Sequence, residues 1–122
     1  MKENLLRDKS FAFALRTIKR NQHLVNEHRE YTMSRQVLRS GTSIGANIEE
    51  SVHAQSKLDF AHKLSIAQKE ACETNYWIRL LKESGFLNAS LAKSLLSDCD
   101  ELQRLLAASV KTTKRNMKKE RS

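Results

Sequence analysis

The 122-residue sequence predicts an all-α fold, an antiparallel up-down-up-down four-helix bundle. Three observations carry this. Apolar residues recur at three- and four-residue spacing through four long segments. The chain has no proline and only three glycines, so few residues break a helix. No stretch alternates apolar and polar residues as a half-buried strand does, and the polar connections are short. The length suits a single domain, 1–122, with a core that needs no staples.

The first helix is expected over roughly Ser10 to Asn26. Phe11, Ala14, Leu15, Ile18 and Val25 form its apolar stripe, and Arg16, Lys19, Arg20 and His23 fall away from it. The polar run EHREYT connects it to the next segment, with Tyr31 turned inward. The second helix begins near Thr32 or Ser34, either of which can cap it, and runs to about Ala54. Val37, Leu38, Gly41, Ile44, Gly45, Ile48 and Val52 share one face. The third, about Ser56 to Ser84, buries Phe60, Ala61, Leu64, Ala67, Ala71, Thr74, Ile78 and Leu81, while Ile66, Trp77 and Leu80 widen its apolar surface. Gly85 suits the left-handed C′ position, with Phe86 packing back on Leu81 in a Schellman motif. Asn88 caps the fourth helix, whose stripe is Leu91, Leu95, Leu102, Leu105, Leu106 and Val110. The closing run KTTKRNMKKERS, 111–122, has six basic residues and one acidic one. It lies beyond the apolar stripe and is expected to be a frayed, solvated extension.

The stretch RQVLRSGTSIGANIEES, 35–51, holds two glycines one turn apart, although a glycine inside a helix costs about 1 kcal/mol relative to alanine. Gly41 and Gly45 lie on the apolar face, where a bare backbone lets another helix come close. Dispersion over that contact offsets the propensity cost. Ser40, Ser43 and Asn47, with Gln36 and Glu50, form a separate polar stripe suited to contact with another helix or subunit; an ordinary solvent face is the alternative. Trp77 reads as a core or interface residue, and stacking on a base is the alternative.

The formal net charge of +8 fits a polyanionic partner such as RNA or DNA. Candidate phosphate contacts are Lys111, Lys114, Arg115, Lys118, Lys119 and Arg121 in the closing run and Arg16, Lys19 and Arg20 on the first helix; a plain solvated face is the alternative. There is no apolar stretch of membrane-spanning length and no apolar leader, which predicts a cytoplasmic protein. Cys72 and Cys99 form no CxxC pair and read as free thiols. Glu50-Ser-Val-His53 and Asp59-Phe-Ala-His62 evoke a di-iron carboxylate bundle, but the other two helices offer no matching inward carboxylates, so no metal is expected. Glu70 and Glu73 are expected to pair with Arg39 or Arg79 rather than act as acid and base. No phosphate loop, zinc spacing or nucleophilic triad can be placed, and neither an enzyme nor a cofactor is expected.

Residues 30–81, most distinctively LRSGTSIGANIEES and KLSIAQKEACETNYWIRLL, resemble the bacterial four-helix bundle family that includes the 23S rRNA intervening-sequence proteins, encoded within insertions in large ribosomal RNA genes. The family is also similar to the accessory variability protein of diversity-generating retroelements, a basic pentamer that acts with a reverse transcriptase and nucleic acid. The resemblance implies a four-helix bundle assembled into a ring-like homopentamer. In such a ring each basic patch recurs five times, so weak contacts gain avidity. The expected function is therefore nucleic-acid binding by a homo-oligomeric accessory protein, with a scaffold that docks a partner polypeptide as the alternative.

Overall fold

The computed structural model describes residues 2–121, with side chains described from Asn4 onward. Four helices follow one another: α1 (Lys2–His28), α2 (Thr32–Val52), α3 (Lys57–Glu83) and α4 (Ala89–Arg121). Each packs on its neighbours in sequence, α1 also meets α4, and the diagonal pairs do not approach. With connections of three to five residues, successive helices run antiparallel and enclose one core. Phe13, Leu24, Ile44, Ile48, Leu64, Ile78, Leu95 and Leu102 fill its centre.

Local chemistry sets the helix ends. Arg29 takes the left-handed backbone (φ 51°) after α1. α2 is then capped by the Glu30 carboxylate, which accepts from the Ser34 N–H at 2.8 Å and the Thr32 N–H at 3.3 Å. Thr32 and Ser34 were the expected caps. The carboxylate serves better because it brings negative charge to the positive end of the helix dipole. Tyr31, expected to turn inward, is 53% exposed. Ser56 caps α3 by accepting from the Asp59 N–H. At the far end, Gly85 has φ 86°, its N–H donates to Lys82 O and the Phe86 N–H donates to Leu81 O at 2.9 Å. These are the two bonds of a Schellman motif. Asn88 Oδ1 accepts from the Leu91 N–H at 2.8 Å and starts α4.

The inner faces of α2 and α3 match the periodicity of the sequence, while α1 is rotated from its expected position. Phe11, Leu15 and Ile18 are 68%, 54% and 39% exposed, and Leu6, Ser10, Phe13, Thr17 and Leu24 are buried instead. The cause lies on α2. A Cβ at Gly41 would fall on Thr17 Cγ2, with Thr17 Cβ and Oγ1 only 3.0 Å away; one at Gly45 would sit 3.4 Å from Ser10 Oγ. The glycine face of α2 thus receives small side chains, Ser10 and Thr17 of α1. Their hydroxyls donate to Arg7 O and Ala14 O in their own helix, so burial leaves no polar atom unpaired. A stripe judged by hydrophobicity alone counts both as polar.

The closing segment differs too. Rather than fraying, α4 continues as helix to Arg121. Its end lies along the α2–α3 connection, where Lys57 of α3 pairs with Glu120, and Thr113 and Asn116 face Ser51 and Phe60 across an open depression. Cations in its last turn suit the negative end of the helix dipole. Ala92 and Cys99, not assigned to the apolar stripe, are buried where α3 and α4 meet, and Cys99 Sγ donates to Ala71 O at 3.1 Å.

Two substitutions separate the roles of the α2 glycines. Gly41→Ala gains about 1 kcal/mol of helix propensity but overpacks the contact with Thr17, which costs about 2–3 kcal/mol; a net loss is expected in denaturant unfolding. Gly45→Ala meets ordinary contact distances and should leave stability unchanged or raise it by up to about 1 kcal/mol. The thiols give a second check. Burial pushes the Cys99 thiol up to about 12, whereas Cys72 is exposed. One thiol should titrate with an aromatic disulfide reagent in the folded protein at neutral pH, and the second only on unfolding.

Candidate nucleic-acid interface

Past Val110, the last buried residue of α4, side chains on most sides of the helix reach solvent. Lys111, Lys114, Arg115, Lys118, Lys119 and Arg121 are all exposed. Their spacing of three and four residues stacks Lys111, Lys114, Arg115, Lys118 and Arg121 along one flank of the helix. Because this segment is helical, the charges occupy set positions rather than moving on a flexible tail.

The acids of α4 are largely engaged elsewhere. Asp98 pairs with Arg16 at 2.7 Å and Glu101 with Lys9 at 3.0 Å, both across the α1–α4 seam, and Glu120 pairs with Lys57. Arg16, one of the basic residues singled out on α1, therefore bridges two helices with its side chain 32% exposed. Lys19 faces solvent. Arg20 is half-buried and lines a depression at the other end of the bundle with His23, His28, Phe86 and Asn88. The α1 residues and the α4 run thus form no single patch.

Three cations not singled out in the sequence complete the basic surface. Lys82 of α3 and Lys93 and Arg104 of α4 line an open groove of about 450 Å³ between the two helices, with Ser97 and Asp100. Periodicity could have revealed the α4 pair. Lys93, Ser97, Asp100, Arg104, Ala108, Lys111, Arg115 and Lys118 follow one another at spacings of four and three, so Lys93 and Arg104 share the flank of the closing run. Asp100, in their midst, obscures the pattern.

The residues read as packing or assembly contacts are engaged mostly within the chain itself. Gly41 and Gly45 meet α1. Ser40 is buried against α3, where it accepts from Thr74 Oγ1 at 2.8 Å and donates to Gln36 O. Ser43 and Asn47 are half-buried and bond to backbone carbonyls of their own helix, Arg39 O and Ser43 O. Trp77 packs half-buried against the core and donates from Nε1 to Glu73. Arg39 joins both α3 carboxylates, Glu70 at 3.2 Å and Glu73. Burial works against its charged form, but the hydrogen bonds and charges of the two carboxylates prevail and raise its pKa. Arg79 bonds Asn75 and lies over the Tyr76 ring.

Around the α2–α3 turn, Glu49, Glu50, His53 and Asp59 border an open depression with Lys63. Glu50 pairs with Lys63 at 3.2 Å. Glu49 takes two bonds from Arg7, which hold its carboxyl below the usual range. Among the described residues no three His, Cys, Asp or Glu side chains are grouped as a metal ion requires. No described helix is long and apolar enough to cross a membrane.

Comparison with known proteins bears on this surface. No curated protein matches the chain. A crystal structure at 1.70 Å of a protein of unknown function from the S23 ribosomal protein family of Bacteroides thetaiotaomicron VPI-5482 is similar over 91% of this chain and 99% of its own, with 48% identity and a TM-score of 0.90. The 23S rRNA-intervening sequence protein family matches residues 2–108, from α1 to within two residues of the last buried position of α4. The four-helix arrangement and this match over most of its length make the chain a member of the 23S rRNA-intervening sequence protein family.

Proposed function

We propose that this protein is a non-enzymatic, homo-oligomeric accessory protein of the cytoplasm that binds RNA or DNA phosphates through basic surfaces repeated on each protomer. The observation that carries the reading is the segregation of charge on α4. Asp98, Glu101 and Glu120 pair with basic partners on α1 and α3, while Lys111, Lys114 and Arg115 face solvent with no ion pair among the described residues. Cations in that state keep their full attraction for phosphates, and binding releases the counterions condensed on the nucleic acid. Family membership supports the reading through the family's association with ribosomal RNA genes.

Self-association draws support from α1. Phe11, Leu15 and Ile18 stand at spacings of four and three and are all exposed, Phe11 and Leu15 by more than half. Phe11 borders a shallow recess that Ala14, Thr42, Gly45 and Ala46 help to line. Such an apolar stripe on a helix otherwise faced with polar residues marks an interface. In the ring-like homopentamer that the family resemblance implies, this stripe is buried between protomers. A second reading rests on the same stripe: it docks an amphipathic helix of a partner polypeptide, and the protein is a scaffold with no nucleic-acid role.

Two measurements test this. Binding to structured RNA and duplex DNA, followed across 50–200 mM salt, should weaken steeply as salt rises. The K111Q/K114Q/R115Q variant should bind about 10-fold or more weaker with its thermal midpoint nearly unchanged, since all three side chains are exposed. Binding that is absent at low salt, or insensitive to salt, removes the nucleic-acid reading. In the second, solution mass should be a multiple of 14.0 kDa, and Phe11→Glu should reduce it to one protomer without loss of helicity. A monomeric wild type leaves the stripe to a partner polypeptide.

A further inference from the structure

The groove cations Lys82, Lys93 and Arg104 have no place in the site as first drawn from the closing run. On α4, Arg104 lies about two turns and Lys93 about five turns N-terminal to the start of that run on the same flank, and Lys82 lies beside that flank on α3. From Lys93 to Arg121 the flank extends about 42 Å at 1.5 Å per residue. It carries Lys93, Arg104, Lys111, Lys114, Arg115, Lys118 and Arg121, all exposed. The adjoining face of α3 adds Lys82 and Arg79. The acids Glu70 and Glu73 of α3 face α2, where Arg39 holds them. Asp100 is the one acid lining the groove, and Asn75 of α3 donates to it at 3.3 Å.

The shape and chemistry of this surface select among polyanions. A helix is a straight, stiff rod, so its charges suit a stiff, straight array of phosphates. Single-strand binders add aromatic platforms on which bases stack, but between its cations the α4 flank presents Ser97, Asp100, Ala107 and Ala108, and the Tyr76 ring of the neighbouring α3 lies under the Arg79 guanidinium. The side chains of the flank offer positive charge and little else, which neutralises a backbone without reading bases.

We infer that the outer flank of α4, together with Lys82 of α3, is one continuous phosphate track for double-stranded nucleic acid, with the α3–α4 groove as its second anchor. This deepens the nucleic-acid reading above and rests on it. A 42 Å track spans about 12 base pairs of duplex at 3.4 Å per pair. Duplex RNA and duplex DNA both supply the phosphate array, and separate titrations with each show which is preferred.

The test uses the full chain and blunt duplexes of 8, 12 and 16 base pairs, of RNA and of DNA, with the single strands alongside. Affinity should rise from 8 to 12 pairs and then level off, and duplex should bind tighter than either strand. The K82Q/K93Q/R104Q variant should lose about 10-fold or more in affinity and lower the steepness of the log–log salt dependence by about 2–3. Asp100→Lys should bind several-fold tighter, a gain that misfolding cannot imitate. A wild type that binds duplex while the triple variant matches it in affinity and salt dependence, or that binds single strands equally well, overturns the track and leaves the broader reading in place. Absence of binding by the wild type to every probe overturns both.

Discussion

The close approach of α1 and α2 at Gly41 sets the orientation of the rest of the bundle. With no side chain at that position, Thr17 of α1 sits almost on the α2 backbone, and Ser10 settles against Gly45 four residues later. This contact fixes how α1 is rotated about its axis. Phe13, Leu6 and Leu24 then point into the core, and Phe11, Leu15 and Ile18 point out of it. It also draws α1 toward α2 and away from α4, with which it shares much the lesser contact. Long side chains span the wider seam, as Lys9 reaches Glu101 and Arg16 reaches Asp98. Exposed pairs of this kind contribute little to stability; their effect here is on the distribution of charge.

Small hydroxyl residues make such close seams possible without orphaned polar atoms. Ser10, Thr17, Ser34, Ser40, Ser51 and Thr74 are buried; the five hydroxyls other than that of Thr74 donate to a backbone carbonyl of the preceding turn, and Thr74 donates to Ser40. Among the described residues no buried side-chain nitrogen or oxygen lacks a partner. Burying a hydroxyl in this way avoids a desolvation penalty of about 1–3 kcal/mol. The α3–α4 seam reaches a similar closeness with alanines and a cysteine: Ala61, Ala67, Ala71, Ala92 and Cys99.

The same geometry sorts the charges. Carboxylates of α2, α3 and α4 pair with basic residues across the helix seams, at Arg7–Glu49, Arg39–Glu70, Lys63–Glu50 and Arg16–Asp98. The excess of cations implied by a net charge of +8 is left on outward faces, above all on α4. Extending α4 as a helix past Val110 arranges that excess as a line on a rigid rod, where a flexible tail of the same composition would spread it.

By itself the sequence determined the helix count, the inner faces of α2 and α3 and the Schellman stop at Gly85, because periodicity and capping chemistry act within a few residues of one another. The pairing of Glu70 and Glu73 with Arg39, one of two partners it allowed, and the meeting of Gly41 and Gly45 with another helix were also legible in residue types. Tertiary structure decided the rotation of α1. One of its faces carries Phe11, Leu15 and Ile18 and the other Leu6, Phe13 and Leu24, and the choice between them depends on Ser10 and Thr17 fitting the glycines of α2, a matter of shape between residues about 25 to 35 apart in the chain. Tertiary structure also decided which charges remain outward. The basic residues held in ion pairs and those left outward have the same chemistry in the sequence, and only the packing of four helices shows that Arg16 faces an aspartate while Lys93 and Arg104 face the solvent.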